Sequence, residues 1–442
     1  MATWARLRAG SGNFRAASGA LPGCLFPARP MAYADGSGGP PLLPTLLALL
    51  LSAVPVRAEE QRGWSTPLFP AGYYSSDMGL TAVLFGALHY RDGRVAPYRF
   101  GLIIDSSIST RLIQAHTLTF DLVDPGGLPL RLNLVAGFEA TESANFCGFG
   151  GAADCAALPP DLAVLDLSPE AYDAYVEHYT QVRYLRPRVY FNARRRLRDL
   201  PFRAELMLGW WGEGLRPGDF HEHTPYPGSL YASLFPEGER GFTSVMQAGV
   251  AVDERDHEVL TTRGLWAEAS LRVASPALGS QWAYQGVDGV LCGYLPLTDG
   301  TVLTGRVVAD GLVGDAPLPE LARTGGTVRR PVFGGMDLGR GLREAAIVGR
   351  VRLVQQAELR QHLFDAHFWR WDLGFGGVVF ADVGYVAEDL AAVGGAGGRW
   401  AMGEGLGLRL RLTDDFLARF DLGVSAFEGW HPRFTMGFGP TW

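Results

Sequence analysis

The stretch GLGLRLRLTDDFLARFDLGV, residues 405–424, alternates apolar and polar side chains on both sides of a short turn. Leu406, Leu408, Leu410 and Leu412 share one parity, and glycine and arginine occupy the positions between them. After the TDD turn the alternation resumes. Because successive side chains of a strand point to opposite faces, this pattern predicts a β-hairpin with one apolar and one polar face.

The same alternation recurs along the chain from about residue 72, as in residues 128–139. Short turns alternate with long polar connections near 145–175 and 213–243, and the polar strand faces are rich in arginine, acids and glycine. These features predict an all-β, transmembrane antiparallel β-barrel with its apolar face toward lipid. The 11 Trp and 15 Tyr would supply the interfacial girdles. A secreted soluble β-protein is the alternative.

The N-terminus contains the only long apolar run, LLPTLLALLLSAV at 42–54. It is shorter than the roughly 20 residues of a spanning helix but fits the apolar region of a signal peptide, and Val56–Ala58 offers a cleavage site. We therefore predict a leader at 1–58 with translation starting at Met1 or Met31, a short periplasmic segment at 59–78, and an outer-membrane barrel at 79–442.

The composition argues against a nucleic-acid partner. Without the leader, 384 residues remain, with 34 arginines against 45 acids and a net charge of −11. A nucleic-acid-binding protein would present a basic surface. The partner that the pattern does predict is the lipid bilayer of the outer membrane.

Three cysteines lie beyond the leader. Cys147 and Cys155 flank a short loop, GFGGAAD, which suits a disulfide in an oxidising compartment. A metal bound by this pair is disfavoured because no histidine or further cysteine lies nearby in the sequence. Cys292 sits in an apolar strand-like stretch and is predicted to be a small core or wall residue.

Several motifs resemble those of the bacterial surface antigen family, the barrel part of the BamA/TamA outer-membrane assembly superfamily. The order and spacing of the motifs fit that family over roughly residues 73–442. The stretches that carry the resemblance are GVAVDERDHEVLTTRGLWAEASLRV (249–273), FGGMDLGRGLREAAIVGRVRLVQQAELR (333–360), GGVVFADVGYV (376–386) and, more weakly, NFCGFGG (145–151).

The resemblance implies sixteen strands and a sixth extracellular loop that folds back into the lumen. It implies that Arg340 of this loop meets an acid of the barrel wall, Asp382, with Glu358 on a neighbouring strand. Alternation independently points both acids inward, and Gly341 would allow a tight backbone turn beside the arginine. The alternatives are a solvated loop arginine and a wall acid that pairs with any of several other arginines.

Two further sets of residues are singled out, the first by the same resemblance and the second by the pattern of the C-terminal strand. The family's turn and strand restart correspond here to Asp253, Arg255, Asp256 and Gly264, for which we expect a structural purpose. The chain also ends on an aromatic strand, RFTMGFGPTW, as outer-membrane barrels commonly do. Phe438 and Trp442 would form the terminal signal that assembly machinery recognises.

Nothing in the sequence indicates an enzyme, a cofactor or a metal. The glycine-rich stretch at 333–346 lacks the Lys-Ser/Thr pair of a phosphate-binding loop and is followed by a strand-like run from near Ile347. His221 and His223 could approach a metal, but alternating histidines are common in long polar loops. No Ser-His-acid order stands out.

Assembly and translocation members of the superfamily carry periplasmic POTRA domains ahead of the barrel, whereas only about 20 residues separate Ala58 from Gly79 here. We therefore expect a periplasmic partner or lipoprotein to replace them. The first hypothesis is an outer-membrane biogenesis or translocation component of a Gram-negative-type bacterium, acting through a weak seam between its first and last strands. Gly437, Gly439 and Pro440 would weaken that seam. The second hypothesis is a passive pore or structural barrel with a plugged lumen.

Overall fold

The computed structural model describes residues 62–438 apart from 67, 96–97, 163–164, 166, 199, 258–259, 369–370 and 414–415. Its strands form one closed antiparallel sheet in which each of sixteen strands, β2 to β17, pairs with its sequence neighbours and β17 returns to β2. The short β1 pairs with β3 and continues the register of β2. The predicted sixteen-stranded antiparallel barrel is confirmed.

Apart from β1, β2 and the described part of β17, the strands are long enough to cross the apolar layer of a membrane when tilted. The strands are β1 (Gly63–Ser65), β2 (Leu68–Ser75), β3 (Gly79–Arg91), β4 (Phe100–Ser109), β5 (Ile113–Val123), β6 (Leu130–Asn145), β7 (Gln181–Leu197), β8 (Ala204–Pro217), β9 (Gly241–Asp253), β10 (Gly264–Ala274), β11 (Tyr284–Thr298), β12 (Thr301–Gly314), β13 (Val351–Phe368), β14 (Trp371–Ala387), β15 (Gly398–Thr413), β16 (Phe416–Val424) and β17 (Arg433–Phe438).

Four short helices lie in the connections: α1 (Pro169–Tyr179), α2 (Leu230–Leu234), α3 (Leu318–Leu321) and α4 (Gly335–Leu338). The first begins at Ser168, whose side chain accepts a hydrogen bond from the backbone N–H of Ala171. In the described part of the chain, no helix has the length and apolarity needed to span a membrane.

Because neighbouring strands are antiparallel, alternate connections lie at the same end of the barrel. The three longest, 146–180, 218–240 and 315–350, share one end, which we call the loop end. The opposite end, called the turn end, carries shorter connections such as 124–129 and 254–263.

The two faces of the wall have opposite chemistry. Leu406 and Leu408 of β15 are each 62% exposed on the outer face, whereas Arg409 of the same strand is buried in the interior. Arg186 and Arg306 are among the largest fully buried side chains. An apolar exterior around a charged interior is the arrangement of a membrane barrel, the inverse of a soluble protein.

Two sequence-based boundaries need correction. The barrel wall begins at β2 rather than at residue 79, since β2 pairs with β3 from Leu68↔Gly86 to Ser75↔Gly79. Pro70 obscures the alternation and is tolerated because, over the described residues, β2 is paired along its length with β3 but at a single position with β17. Residues 347–350 belong to a loop and not to a strand: Ile347 is fully buried inside the barrel. The predicted leader at 1–58, including Met31, lies outside the described residues.

Candidate functional site: the lumen latch

The connection 315–350, which we call the lumen loop, joins β12 to β13 and folds into the barrel interior. It is the sixth connection at the loop end. Phe333, Leu338 and Leu342 are at most 1% exposed and pack in a cluster with Val354 and Val386 of the wall. Burial of these apolar side chains, together with the ion pairs below, anchors the loop in the lumen.

Arg340 forms the centre of this site, which we call the latch and which comprises Arg340, Gly341, Asp382 and Glu358. Its Nε donates to Oδ2 of Asp382 at 2.9 Å, and its Nη2 donates to Oδ1 at 2.8 Å. The backbone N–H of Arg340 donates to the same Oδ2 at 2.9 Å. Its Nη1 donates to Glu358 on the adjacent strand. All three side chains are at most 1% exposed, so the structure brings together the arginine and both acids that the sequence singles out.

The surrounding groups complete the charge balance around Arg340. Glu358 also accepts a hydrogen bond from Nε of Arg360 at 2.6 Å, and Arg409 donates to Asp421 at 2.7 Å. The Arg340 guanidinium lies 3.7 Å from the centre of the Phe380 ring. A planar guanidinium can satisfy two carboxylates and stack on a ring at once, which an ammonium cannot do.

Glycines let the loop backbone approach the wall. Gly341 has φ of +89°, and a Cβ there would lie 2.6 Å from the carbonyl oxygen of Val424. On the wall, a Cβ at Gly403 would lie 1.7 Å from the carbonyl oxygen of Arg340. Both positions therefore require glycine for the loop to dock as it does.

Further ion pairs hold the rest of the lumen loop, and sequence reasoning missed them. Arg343 donates from its backbone N–H and Nε to the two carboxylate oxygens of Glu428, both at 3.0 Å. Arg329 donates to Glu213 of β8 at 2.7 Å, and Arg323 pairs with Glu139 of β6. For Glu213 and Glu139, the sequence signal was their inward position on a strand. That signal does not indicate which arginine of the lumen loop contacts each acid.

The family turn motif sits at the turn end, far along the chain from the latch. Nε and Nη2 of Arg255 donate to Asp253 at 2.8 and 2.7 Å. Asp256 accepts backbone N–H groups of Thr262 at 3.0 Å and of two neighbouring residues. Partial burial raises the pKa of Asp256, but a hydrogen bond from the Thr262 hydroxyl and these backbone N–H groups lower it below the ordinary value of 3.8. Gly264 has φ of +107° where β10 restarts.

Cys147 and Cys155 form a disulfide in the loop that follows β6. This loop contacts the lumen loop directly, since Arg343 donates to the carbonyl oxygen of Cys155 at 3.4 Å. Both cysteines also belong to the apolar cluster that buries Phe333. The disulfide therefore lies beside the lumen loop and shares an apolar cluster with it. Cys292 is buried on β11 beside Trp266 and Tyr294.

The other singled-out residues lie apart from the latch. Phe438 is the last residue of β17, and Trp442 lies outside the described residues. His221 and His223 are exposed in the connection 218–240. Among the described residues there is no group of three or more His, Cys, Asp or Glu that could hold a metal ion.

Over the described residues, the last and first strands are paired over a short length only. Over the described residues, β17 and β2 share one register pair, Thr435↔Ser75, whereas β2 and β3 share eight. Two hydrogen bonds of 2.9 Å between Phe434 and Ser76 and an ion pair of Arg433 with Asp77 continue the contact beyond the strands.

A closed sixteen-stranded barrel that holds its own sixth loop in the lumen by a buried arginine defines a particular class of outer-membrane protein. Residues 204–442, more than half of the chain, match the Omp85 superfamily domain, and the chain belongs to the Omp85 superfamily. This confirms the predicted membership and argues against a soluble secreted β-protein. No curated protein matches the chain by sequence.

Solved structures of the same fold include two outer-membrane barrels. BamA from Haemophilus ducreyi lacking POTRA domains 1–3 is similar over 86% of this chain and 70% of that chain, with 13% identity and a TM-score of 0.52. CdiB from Escherichia coli is similar over 86% of this chain and 63% of that chain, with 11% identity and a TM-score of 0.55. At these identities the likeness shows the fold alone.

Proposed function

We propose that this protein resides in the outer membrane of a Gram-negative-type bacterium and inserts or translocates protein or lipid together with partner proteins. The observation that carries the proposal is the difference in pairing between the two edges of β2. One register pair joins it to β17 over the described residues, against eight to β3. A seam with few ladder hydrogen bonds costs little to open, and an open edge can pair with a client strand.

The latch fits this proposal as the element that keeps the rest of the barrel rigid. Arg340 ties the lumen loop to β13 and β14, and Gly341 lies against β16. Over the described residues, the β17–β2 seam is the junction of the barrel wall with the fewest register pairs. Separation of the strands there would leave the buried ion pairs on the other strands intact.

A cross-link across the seam tests the proposal. Cysteines replacing Ser75 and Thr435, which are register partners, would lock the seam by a disulfide. Cysteines at Thr81 and Ser109 form the matched control, an inward-facing polar pair across β3 and β4. In cells that depend on the altered copy, the seam lock should lower the amounts of other barrels in the outer membrane, and a reductant should restore them.

The control pair should leave those amounts unchanged. The proposal would be wrong if every other barrel stayed at its normal level when the seam is locked. It would also be wrong if those levels stayed normal after depletion of the whole protein. The alternative is a passive pore or structural barrel. It predicts a large, steady, ion-selective conductance after reconstitution, and buried charges such as Arg306 and Asp310 together with the inserted lumen loop count against an open channel.

A further inference from the structure

Two polar side chains project from the outer wall into the apolar layer. Glu404 has the same parity on β15 as Met402 and Leu406, which are 43% and 62% exposed, and it is itself exposed. On β13, Gln355 is exposed and shares its outward parity with Leu359. An ionisable side chain facing lipid is costly, and its retention suggests a function.

The depth of Glu404 places it well inside the apolar belt. Trp400 lies four residues toward the loop end and Leu408 four residues toward the turn end, both at least 60% exposed. At about 3.3 Å rise per residue and about 40° tilt, Glu404 lies roughly 10 Å from the level of Trp400. Across the sheet it pairs in register with Ala381 and Val424. The carboxylate is therefore too deep to be an ordinary rim charge.

Two pairs of polar side chains elsewhere on the outer face satisfy one another. Ser106 Oγ lies 2.7 Å from His116 Nδ1 across β4 and β5, and Trp210 Nε1 donates to Ser244 Oγ at 3.0 Å across β8 and β9. Within the ranges that the structure describes, no hydrogen bond or ion pair involves the side chain of Glu404 or Gln355. Lipid acyl chains offer no donor either.

A groove of about 620 Å³ lies on strands β10 to β14, and Gln355 forms part of its lining. Its base is a row of small residues in register across four strands: Gly293, Gly305, Ala357 and Ala381. Glu404 occupies the next register position of the same row. Small residues permit the close approach of another backbone in a membrane, where packing and hydrogen bonds drive association.

We propose that the outer face of β11 to β15 is an intramembrane docking surface for a membrane-spanning segment of another protein. The segment packs into the small-residue groove and brings a cation, hydroxyl or amide donor to Glu404 and Gln355. Phospholipid ammonium and phosphate groups lie in the headgroup layer and do not reach this depth. The proposal requires only that the barrel spans the membrane, and it is independent of the seam.

A second copy of this chain is a poor occupant. A two-fold contact over the groove would bring Glu404 against Glu404, so the second copy would supply neither a cation nor an amide donor there. A candidate cation on the described outer face, Arg195, lies two residues before the turn end of β7 and so at a different depth. Charge complementarity therefore selects a different protein with a donor at mid-membrane height.

Site-specific photocross-linking in native membranes tests the surface. A benzophenone amino acid replaces Val383, which lines the groove, or Leu134 of β6, which is 42% exposed on a distant part of the wall. We expect an adduct with one integral membrane protein, identified by mass spectrometry, at Val383 and not at Leu134. Glu404→Leu should reduce that adduct at least tenfold and Gln355→Leu at least threefold.

The identified protein, purified and co-reconstituted with the full-length chain in phosphatidylethanolamine–phosphatidylglycerol vesicles, should bind at least tenfold more weakly to the Glu404→Leu variant. Retained heat-modifiable migration and an unchanged or raised Tm of that variant exclude misfolding as the cause. Adducts with lipid alone, adducts with a second copy, or an adduct indifferent to Glu404→Leu would overturn the proposal. Locking the seam through Ser75 and Thr435 should leave the adduct unchanged, which separates this surface from the proposed insertase activity.

Discussion

Arg340 and Asp382 are joined by three hydrogen bonds, two from the guanidinium and one from the backbone N–H of the same arginine. The single carboxylate therefore fixes both the side chain and the main chain of the lumen loop at this point. Since both residues are at most 1% exposed, neither can exchange its partner for water.

Replacement of Arg340 by alanine should destabilise the folded barrel strongly. It would leave Asp382 and Glu358 buried without their cation, and removal of one partner from a buried ion pair typically costs about 3–5 kcal/mol. The measurement is urea unfolding in vesicles together with heat-modifiable migration on a gel. Arg340→Lys should recover only part of the loss, because an ammonium cannot engage both carboxylates in the same way.

The matched control is Arg263→Ala, which removes an exposed arginine side chain from the turn end. We expect its free energy of unfolding to stay within about 0.5 kcal/mol of the parent. An Arg340→Ala protein that unfolds and migrates like the parent would show that the loop does not depend on this pair.

Gly403→Ala should displace the lumen loop without removing any charge. The added Cβ would lie 1.7 Å from the carbonyl oxygen of Arg340, so the loop or β15 must shift. The expected result is faster proteolysis or hydrogen exchange of residues 335–346 in the folded barrel.

Gly289→Ala provides the control for that experiment, since the nearest atom to its Cβ is 3.7 Å away, an ordinary contact. In this variant, residues 335–346 should be as well protected from proteolysis and hydrogen exchange as in the parent. Equal protection in both glycine variants would mean that the loop tolerates movement at its closest point to the wall.

Loss of the disulfide should loosen the connection 146–180 and the part of the lumen loop beside it. The bridge spans eight residues of sequence, for which chain entropy predicts about 2–3 kcal/mol. In a Cys147→Ser/Cys155→Ser protein we expect the free energy of unfolding to fall by about 2–3 kcal/mol. We also expect faster exchange near Arg343, which donates to the carbonyl of Cys155.

Cys292→Ser serves as a comparison that keeps the bridge intact. In the folded parent, the Cys292 side chain should resist maleimide because it is 0% exposed. Unaltered exchange near Arg343 after removal of the bridge would show that the connection is held by its other contacts alone.

Alternation predicted the strands and the inward direction of Asp382 and Glu358, because a strand's period of two ties each residue to one face. The charged strand faces and the asymmetry between short turns and long connections then favoured a membrane barrel. Alternation failed where the backbone is not a regular strand. Ile347 and Val348 look like strand residues by their apolarity, yet they are buried loop residues in the lumen. Their position is set by contacts with distant strands, which local sequence does not encode.

The same limit applies to the ion pairs of the lumen loop. Arg340 was identifiable because it stands in a family motif. Arg323 and Arg329 stand in no such motif, and their partners Glu139 and Glu213 lie more than 100 residues away in sequence. Each arginine reaches its acid because the sheet closes into a barrel and the lumen loop lies inside it.

The contact between the connection 218–240 and the lumen loop should respond to pH through Glu239. Its Oε2 accepts the backbone N–H of Leu318 at 2.9 Å and the hydroxyl of Tyr231 at 3.3 Å. Burial raises the pKa of Glu239 from 4.5 to about 7, although these hydrogen bonds oppose the shift. The folded state therefore binds a proton more tightly than the unfolded state. The contribution of Glu239 to the free energy of unfolding is fully present below about pH 4.5 and is lost as the pH rises through about 7.

The measurement compares urea unfolding at pH 5 and pH 8 for the parent and for Glu239→Gln. Between pH 5 and pH 8, the free energy of unfolding of the parent should fall by up to about 3 kcal/mol more than that of the variant. The variant carries no titrating group at this position. Glu170→Gln on the exposed face of α1 is the control and should keep the parent's pH dependence. Subtracting the variant from the parent isolates Glu239 from other acids of the lumen. Identical pH profiles for the parent and Glu239→Gln would show that the carboxyl group is solvated in the folded protein.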